Sequence, residues 1–183
     1  MNLSKIGRQT NRFHLTQKLQ GIDMSKIHFV DTSVLTELLN IPGFNKRHKQ
    51  IIAEYLQLEG NGDIFVLPVA VLVETGNHIA HVSDGNMRYQ IAGKLASLVK
   101  GAMDGKNSWN VAPEIPPDVL EAILAQLPAQ TQQGRGFGDV SIIEQFNDYW
   151  KNKQPIGEMR IWSLDTHLSG YSQTGGLSRR KNK

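Results

Sequence analysis

The sequence predicts an α/β fold in which a central parallel sheet is flanked by helices. Two observations support this prediction: short apolar, β-prone runs alternate with longer segments of helical periodicity, and turn signals separate the segments. Such alternation is typical of parallel sheets that are covered on both faces. At 183 residues the chain is long enough for one domain with a single core.

The first half of the chain contains two predicted strands and four predicted helices. The run "IHFV" predicts a strand at 27–30, and "DIFVLP" predicts a second at 63–68. Apolar residues recur at helical spacing in the segments between and after these strands. The predicted helices occupy residues 32–40, 45–60 and 69–82, and a long fourth helix runs from Asp84 to about Met103.

The second half continues the alternation. "SWNVAP" is a weaker strand candidate, and "PPDVLEAILAQL" predicts a helix with proline in its first turn. The Gly and Gln content of "PAQTQQGRGFG", residues 128–138, predicts a mobile loop. A helix then begins with Asp139 as its cap, and "MRIWSLD" predicts a last strand that ends on Asp165.

Basic residues concentrate at the two ends of the chain. Residues 1–23 hold four Lys or Arg against Asp23, and the final six residues hold four more, so the total of +3 leaves −4 for residues 24–178. We therefore expect a basic N-terminal extension at 1–23, a candidate for disorder, then a folded domain at 24–175 and a basic tail at 176–183. Basic arms of this kind also raise affinity for nucleic-acid phosphates.

The composition excludes several classes of site and location. The chain has no cysteine, so disulfides and thiolate metal sites are excluded and a metal would need oxygen or imidazole ligands. No apolar run reaches the roughly 18 to 20 residues that a bilayer span requires. Residues 1–23 also lack the apolar core of a secretory signal. We expect a soluble, cytoplasmic protein that does not bind a membrane.

Four acidic residues occupy positions at or near the ends of predicted elements. Asp31 follows the first strand, Asp165 follows the last, Asp139 opens a helix after a Gly-rich loop, and Glu74 lies inside a helix. Taken singly, Asp31 and Asp139 fit helix N-caps as well as ligands. The sequence spacing between the four does not bring them together, so the fold would have to do so.

A sheet with the first and last strands at its centre would place Asp31 and Asp165 face to face where the strand order reverses. Glu74 follows the apolar run 71–73 in a segment expected to pack on the sheet, where an unpaired carboxylate is costly to bury. Close carboxylates repel unless a cation lies between them, and Mg²⁺ and Mn²⁺ prefer oxygen ligands. Such ions support phosphodiester hydrolysis, which is the chemistry this pattern favours.

Four motifs in the sequence resemble those of PIN-domain ribonucleases. They are "FVDTSVL" with Asp31, "LPVAVLVETGNH" with Glu74, "GFGDVSII" with Asp139 and "IWSLDTHLSGY" with Asp165. The resemblance implies a compact, Rossmann-like PIN fold, with these four acids as catalytic residues and as ligands of Mg²⁺ (or Mn²⁺). It also implies a ribonuclease that cleaves single-stranded or looped RNA.

Many bacterial proteins of this family are VapC-type toxins of toxin–antitoxin pairs. The resemblance therefore implies a cognate antitoxin protein as a partner and a homodimer as a candidate assembly. Two serines differ from common family residues: Ser33 stands where many members have Asn, and Ser163 stands where Thr is common. Both keep a small polar group, and we expect them to hydrogen-bond and orient the neighbouring carboxylates.

Four basic residues are candidate contacts to RNA. His78 lies one helical turn after Glu74, and Arg135 lies just before Asp139. Lys46 and Arg47 lie in "NKRHK" at the start of a predicted helix, where the macrodipole disfavours positive charge and phosphate contact would compensate. A solvated basic cluster is the alternative interpretation of Lys46 and Arg47.

Other chemistries fit the sequence less well. A haloacid-dehalogenase-type phosphatase requires a second Asp two residues after the first, and this position is Ser33. A zinc site of Glu74, His78 and His81 lacks the H-E-x-x-H order, and "GRGFGD" follows a Gln-rich loop instead of a strand. Two alternatives stay open: a housekeeping PIN ribonuclease in RNA processing, and a non-catalytic PIN-like module that binds RNA or protein.

Overall fold

The centre of the computed structural model, which describes residues 25–112, 114–153 and 157–175, is a five-stranded sheet. The strands are β1 (Ile27–Val30), β2 (Ile64–Leu67), β3 (Trp109–Val111), β4 (Gly157–Trp162) and β5 (Ser172–Gly175), and their order is β3-β2-β1-β4-β5. β1 pairs in parallel with β2 and β4, and β2 pairs in parallel with β3. The predicted parallel sheet is confirmed, and β5 adds an antiparallel edge that the sequence analysis did not predict. The predicted extension 1–23 and tail 176–183 lie outside the described residues.

Helices connect these strands in the order that the sequence predicts. They are α1 (Thr32–Leu39), α2 (His48–Gly60), α3 (Val69–Ala80), α4 (Gly85–Met103), α5 (Pro117–Gln132), α6 (Phe137–Lys153) and the short α7 (Thr166–Ser169). α1 ends at Asn40, whose left-handed backbone (φ 59°) stops the helix. In the part of the chain that the structure describes, none of the helices is both long and apolar enough to cross a bilayer.

Helices cover both faces of the sheet. Neighbouring residues of a strand point to opposite faces, so His28 of β1 packs on one face of the sheet and Phe29 packs on the other. His28 stacks on Phe65 of β2, and Tyr55 of α2 packs on the same ring. On the other face Phe29 meets Phe146 of α6 edge to face, with ring centroids 5.7 Å apart. All four residues of β1 are consequently buried.

The α5–α6 hairpin differs from the sequence prediction. The sequence predicts a mobile loop over 128–138, but α5 continues to Gln132 with Pro128 inside it. Leu127 packs against a small apolar cluster that joins the two helices. Proline disfavours a helix interior, but this packing stabilises the helix on both sides of Pro128. The loop is therefore only a short turn, in which Gly134 supplies a positive φ of 81°.

A buried chain of polar side chains lies at the amino end of the central strands. Nε2 of His28 lies 2.8 Å from Oδ2 of Asp63, and Nε of Arg160 donates to Nδ1 of His28 at 2.9 Å. Because an imidazole nitrogen that accepts from a guanidinium carries no proton, His28 is neutral and Nε2–H donates to Asp63. Arg160 also bonds to Glu54 of α2 at 3.1 Å. This chain of partners joins β1 and β4 to the helix that covers them.

The neutral state of His28 predicts how stability depends on pH. Burial is the main cause that lowers the pKa of His28 below 6.5; the hydrogen bond to Asp63 opposes the shift, and the charge of Arg160 adds to it. Below pH 6.5 the unfolded chain binds a proton that the folded chain binds only at lower pH. The free energy of unfolding should therefore fall as the pH drops from 6.5 towards the lower, folded pKa.

This dependence can be measured as the urea midpoint on both sides of pH 6.5 for the wild type, for His28→Gln and for His81→Gln. An amide at position 28 can still accept from Arg160 and donate to Asp63, so we expect His28→Gln to lose less stability in acid than the wild type. His81 is exposed, and we expect His81→Gln to show the same change of urea midpoint with pH as the wild type. Equal acid sensitivity in all three proteins would refute the role of His28.

Candidate functional site

Two of the four acids lie at the carboxyl ends of adjacent central strands. Asp31 directly follows β1, and its amide donates to the carbonyl of Trp162, the last residue of β4, at 3.1 Å. Asp165 lies three residues after Trp162 and caps α7. The chain passes from β1 to β2 and β3 on one side of β1, whereas β4 lies on the other side. The sheet thus brings both aspartates to the edge where the strand order reverses, which is where α/β sheets bind ligands.

Two serine hydroxyls join Asp31 to the segment that carries Asp165. Oδ2 of Asp31 accepts from Oγ of Ser33 at 2.6 Å and from Oγ of Ser163 at 2.8 Å. Oγ of Ser163 also accepts from the amide of Asp165 at 2.9 Å, and Oγ of Ser33 accepts from the amide of Leu164 at 3.0 Å. Ser163 is buried, so its hydroxyl has little access to solvent as an alternative partner. These bonds hold the Asp31 carboxylate in one orientation.

Glu74 is exposed, which differs from the sequence expectation of a buried carboxylate. Its helix α3 buries Val71 and Thr75, but 52% of the Glu74 side chain remains accessible. Oγ1 of Thr32, the neighbour of Asp31, donates to Oε2 of Glu74 at 3.0 Å. A β-carbon on Gly138 would lie 3.3 Å from the same oxygen, so the absence of a side chain there leaves room for Glu74. Glu74 therefore stands between the Asp31 segment and the start of α6.

Asp139 does not cap its helix in the way that the sequence predicts. α6 begins at Phe137, so Asp139 lies inside the first turn, and its Oδ2 accepts from the amide of Gly136 at 2.9 Å. A carboxylate at the third helical position can reach back to the amide before the helix, as in one half of a capping box. The sequence pattern of Asp after a Gly-rich segment is compatible with either position, so only the structure distinguishes them.

An open groove of about 470 Å³ contains Glu74 and Asp139. Its lining comes from α3 (Val69, Ala70, Val73, Glu74, Asn77), from Ile115 and from the start of α6 (Gly136, Phe137, Gly138, Asp139). Most of the walls are apolar, and Val73 and Phe137 are 60% and 42% exposed. Asp31 and Asp165 are not part of this lining. The four acids thus fall into two neighbouring pairs, one in the groove and one at the strand ends.

Each of the four carboxylates uses one oxygen for a local hydrogen bond and leaves the other without one among the described residues. The occupied oxygens are Oδ2 of Asp31, Oε2 of Glu74, Oδ2 of Asp139 and Oδ1 of Asp165. Across the same residues no Lys or Arg side chain forms an ion pair with any of the four. Carboxylate oxygens that are not paired with a Lys or Arg have the chemistry that Mg²⁺ or Mn²⁺ requires.

The oxygen ligands fit a divalent cation, but the side chains do not form a preformed coordination site. Within the described ranges, no three carboxylate or imidazole groups are close enough together to hold a metal ion. This also applies to the zinc alternative, since Nδ1 of His81 lies 2.7 Å from the carbonyl of Asn77 instead of facing Glu74. A metal bound by all four acids would therefore need some of the side chains around Asp31 to move closer to it on binding.

The candidate RNA contacts lie at different distances from the acids. Nε2 of His78 is 3.9 Å from Oε1 of Glu74, so it adjoins the groove. Arg135 precedes the lining residue Gly136, and its Nη1 donates to Oε1 of Gln130 at 2.6 Å. Lys46 and Arg47 are exposed in the connection between α1 and α2.

Phe44 is a site neighbour that the sequence analysis did not identify. Its ring lies against the imidazole of His78, with centroids 4.2 Å apart, and the residue is 45% exposed. Phe44 thereby places the segment with Lys46 and Arg47 next to α3. An aromatic residue within a polar, basic connection is the one sequence signal that could have indicated this position.

No known family model matches the sequence, and no curated protein resembles it in sequence. The structure is similar to that of VapC20 from Mycobacterium tuberculosis, a toxin that cleaves the sarcin-ricin loop. The TM-score is 0.52 at 16% identity, and the match covers 79% of this chain and 95% of that chain. The chain therefore has a VapC-like PIN fold.

The hydrogen bonds of Ser163 predict a measurable contribution to stability. Ser163→Ala removes both the donor to Asp31 and the acceptor for the amide of Asp165, so it should lower the free energy of unfolding by roughly 1–3 kcal/mol. Urea unfolding measures this loss. Ser169→Ala on α7 is the control, because Ser169 is exposed and should change the free energy by about 0.5 kcal/mol or less. Equal effects of both substitutions would show that the Ser163 bonds contribute no net stability.

Proposed function

We propose that this protein is a metal-dependent endoribonuclease and the toxin of a toxin–antitoxin pair. The observation that supports the proposal is the way in which hydrogen bonds hold the four motif acids. Ser163 links Asp31 to the backbone of Asp165, Thr32 binds Glu74, and Asp139 lines the same groove as Glu74. Each acid keeps one oxygen free of hydrogen bonds among the described residues. The VapC-like fold supports the same function, since the similar VapC20 is a toxin that cleaves an RNA loop.

Asp31, Glu74, Asp139 and Asp165 would hold Mg²⁺ or Mn²⁺ through the oxygens that the local hydrogen bonds leave unused. A bound cation of this kind lowers the pKa of a water nucleophile and stabilises charge on the phosphate and the leaving oxygen. The four acids would be the catalytic residues.

The remaining residues of the site would position the acids and the substrate. Ser33 and Ser163 orient Asp31 through the bonds described above, and Thr32 holds Glu74. Basic side chains around the acids would bind RNA phosphates, which the acids alone repel. The candidates are Arg135, His78, Lys46 and Arg47. We infer a cytoplasmic protein that acts on RNA, either alone or as a homodimer.

RNA cleavage should require the charge of the acids and not only their capping bonds. Asp31→Asn and Asp139→Asn should each abolish cleavage, because they remove a ligand charge with little change in volume. Asp84→Asn is a matched control, since Asp84 caps α4 as Asp31 caps α1 but lies at no acidic cluster. The measurement is cleavage of an RNA substrate with Mg²⁺ or Mn²⁺, and EDTA should stop it.

Full activity in both site variants, or the same loss in Asp84→Asn, would refute the metal mechanism. Binding of RNA without any cleavage by the wild type would instead favour the non-catalytic PIN-like module. Thermal unfolding of each variant separates loss of activity from loss of the fold.

A small partner protein should inhibit the enzyme by presenting a basic residue to the acids. An Arg guanidinium can bind carboxylates with two parallel hydrogen bonds and would occupy the oxygens that a metal needs. The exposed apolar walls formed by Val73 and Phe137 would add contact area for such a partner. Inhibition by the product of the adjacent gene should weaken as the metal concentration rises, and this can be measured by titration.

Growth on induction decides between toxin and housekeeping enzyme. Induction of the wild type should arrest growth, Asp31→Asn should not, and co-expression of the adjacent gene should relieve the arrest. Harmless induction of an enzyme that is active in vitro would favour a ribonuclease of RNA processing.

A further inference from the structure

We propose that Phe44 and His78, with Lys46 and Arg47, bind an unpaired stretch of the RNA substrate beside the acidic groove. The proposal rests on the proposed function and deepens it, because it names the aromatic and basic side chains that would hold the RNA next to the acids. An exposed aromatic ring would stack on one base, and the two cations would bind the adjoining phosphates.

The aromatic pair adjoins the carboxylate at one end. The Phe44 and His78 rings have centroids 4.2 Å apart and an interplanar angle of 44°, and Nε2 of His78 is 3.9 Å from Oε1 of Glu74. His78 is packed between the groove and Phe44, whereas Phe44 is 45% exposed. A base on the outer side of Phe44 would therefore belong to a nucleotide close to the acids.

The segment that carries these side chains is fixed by the protein interior. Glu37 is only 5% exposed, and both of its carboxylate oxygens accept from the amide of Arg47 at 3.0 Å. The amide of Phe44 donates to the carbonyl of Ile41 at 3.0 Å, and Nδ2 of Asn45 donates to Oδ1 of Asn40 at 2.7 Å. A backbone that is ordered before binding reduces the entropy that binding has to offset.

Two side chains on this ordered backbone, those of Lys46 and Arg47, have no evident structural role. Lys46 and Arg47 are exposed, and in the described part of the chain neither forms an ion pair. Lys26, Lys106 and Arg160 do form ion pairs, whereas Lys94 and Lys100 of α4, like Lys46 and Arg47, form none among the described residues. What distinguishes Lys46 and Arg47 is that they follow Phe44, whose ring contacts His78 beside Glu74. Two unpaired cations beside an exposed ring suit a single strand of nucleic acid, whose bases are free to stack, better than a duplex.

The test measures binding in EDTA, so that it does not depend on cleavage. The probe is a labelled single-stranded RNA that contains 2-aminopurine, and the same RNA in a duplex is the comparison. Phe44→Ala should weaken binding of the single strand about 5- to 150-fold, because stacking of one base contributes roughly 1–3 kcal/mol. Phe44→Trp should retain the affinity and the fluorescence quenching. Tyr89→Ala, which removes an 83% exposed ring on α4, should bind as the wild type does.

The cations are tested through the salt dependence of the same binding. The double variant Lys46→Gln, Arg47→Gln should reduce the slope of log affinity against log salt by about 1.4, at roughly 0.7 per phosphate contact on a single strand. The control Lys94→Gln, Lys100→Gln changes two exposed cations of α4 and should leave the slope unchanged.

Several outcomes would overturn the proposal. The proposal is wrong if the wild type does not bind the single-stranded RNA, or if it binds the duplex with equal affinity. It is also wrong if Phe44→Ala binds the single strand as tightly as the wild type does. Loss of antitoxin binding in Phe44→Ala with RNA binding intact would assign the surface to a protein partner. A wild type that binds the single strand through Phe44 but never cleaves it would refute the nuclease function and leave this site standing.

Discussion

Parallel pairing of β1 with β4 at the centre of the sheet is the constraint on which the site depends. Asp31 and Asp165 are far apart in the sequence, and they approach because two neighbouring strands end side by side. The hydroxyl of Ser163 then links the carboxylate of Asp31 to the backbone of Asp165. Thr32, the residue after Asp31, extends the contact to Glu74 and hence to the start of α6. Without this strand order Asp31 and Asp165 would be ordinary residues at helix ends.

Capping a helix and serving a site are compatible roles for a carboxylate. Asp31 and Asp165 both cap helices, and Asp139 bonds to the amide that precedes its helix. Each bond occupies one oxygen, so it fixes the side chain while leaving the second oxygen for a ligand. Asp84 shows that the cap alone is not informative, since it caps α4 in the same way without acidic neighbours. Asp31 differs from Asp84 because the fold places Asp165 and Glu74 next to the segment that carries it.

The sequence predicts the strands, most helix positions and the shared edge of Asp31 and Asp165, because these follow from local periodicity and from the rules of parallel sheets. It does not predict β5, since "SQTG" has no apolar run and becomes a strand only by pairing with β4. The exposure of Glu74 depends on which face of α3 packs on the interior, and the continuation of α5 past Pro128 depends on its packing against α6. Local periodicity does not show either of these contacts. Phe44 belongs to the site for the same reason, through its contact with His78.

Carboxylates at the two ends of the central strands differ in burial and in how many of their oxygens are hydrogen-bonded. At the amino end Asp63 is buried, and its two oxygens bond to His28 and to the amide of Lys26. Both oxygens of Asp63 are bonded to the protein in a buried position, so this carboxylate has a structural role in joining β1 to the start of β2. At the carboxyl end Asp31 and Asp139 are only partly buried and keep one oxygen each, which the fold does not need. Asp31 and Asp139 therefore each keep an acceptor oxygen that a ligand could use.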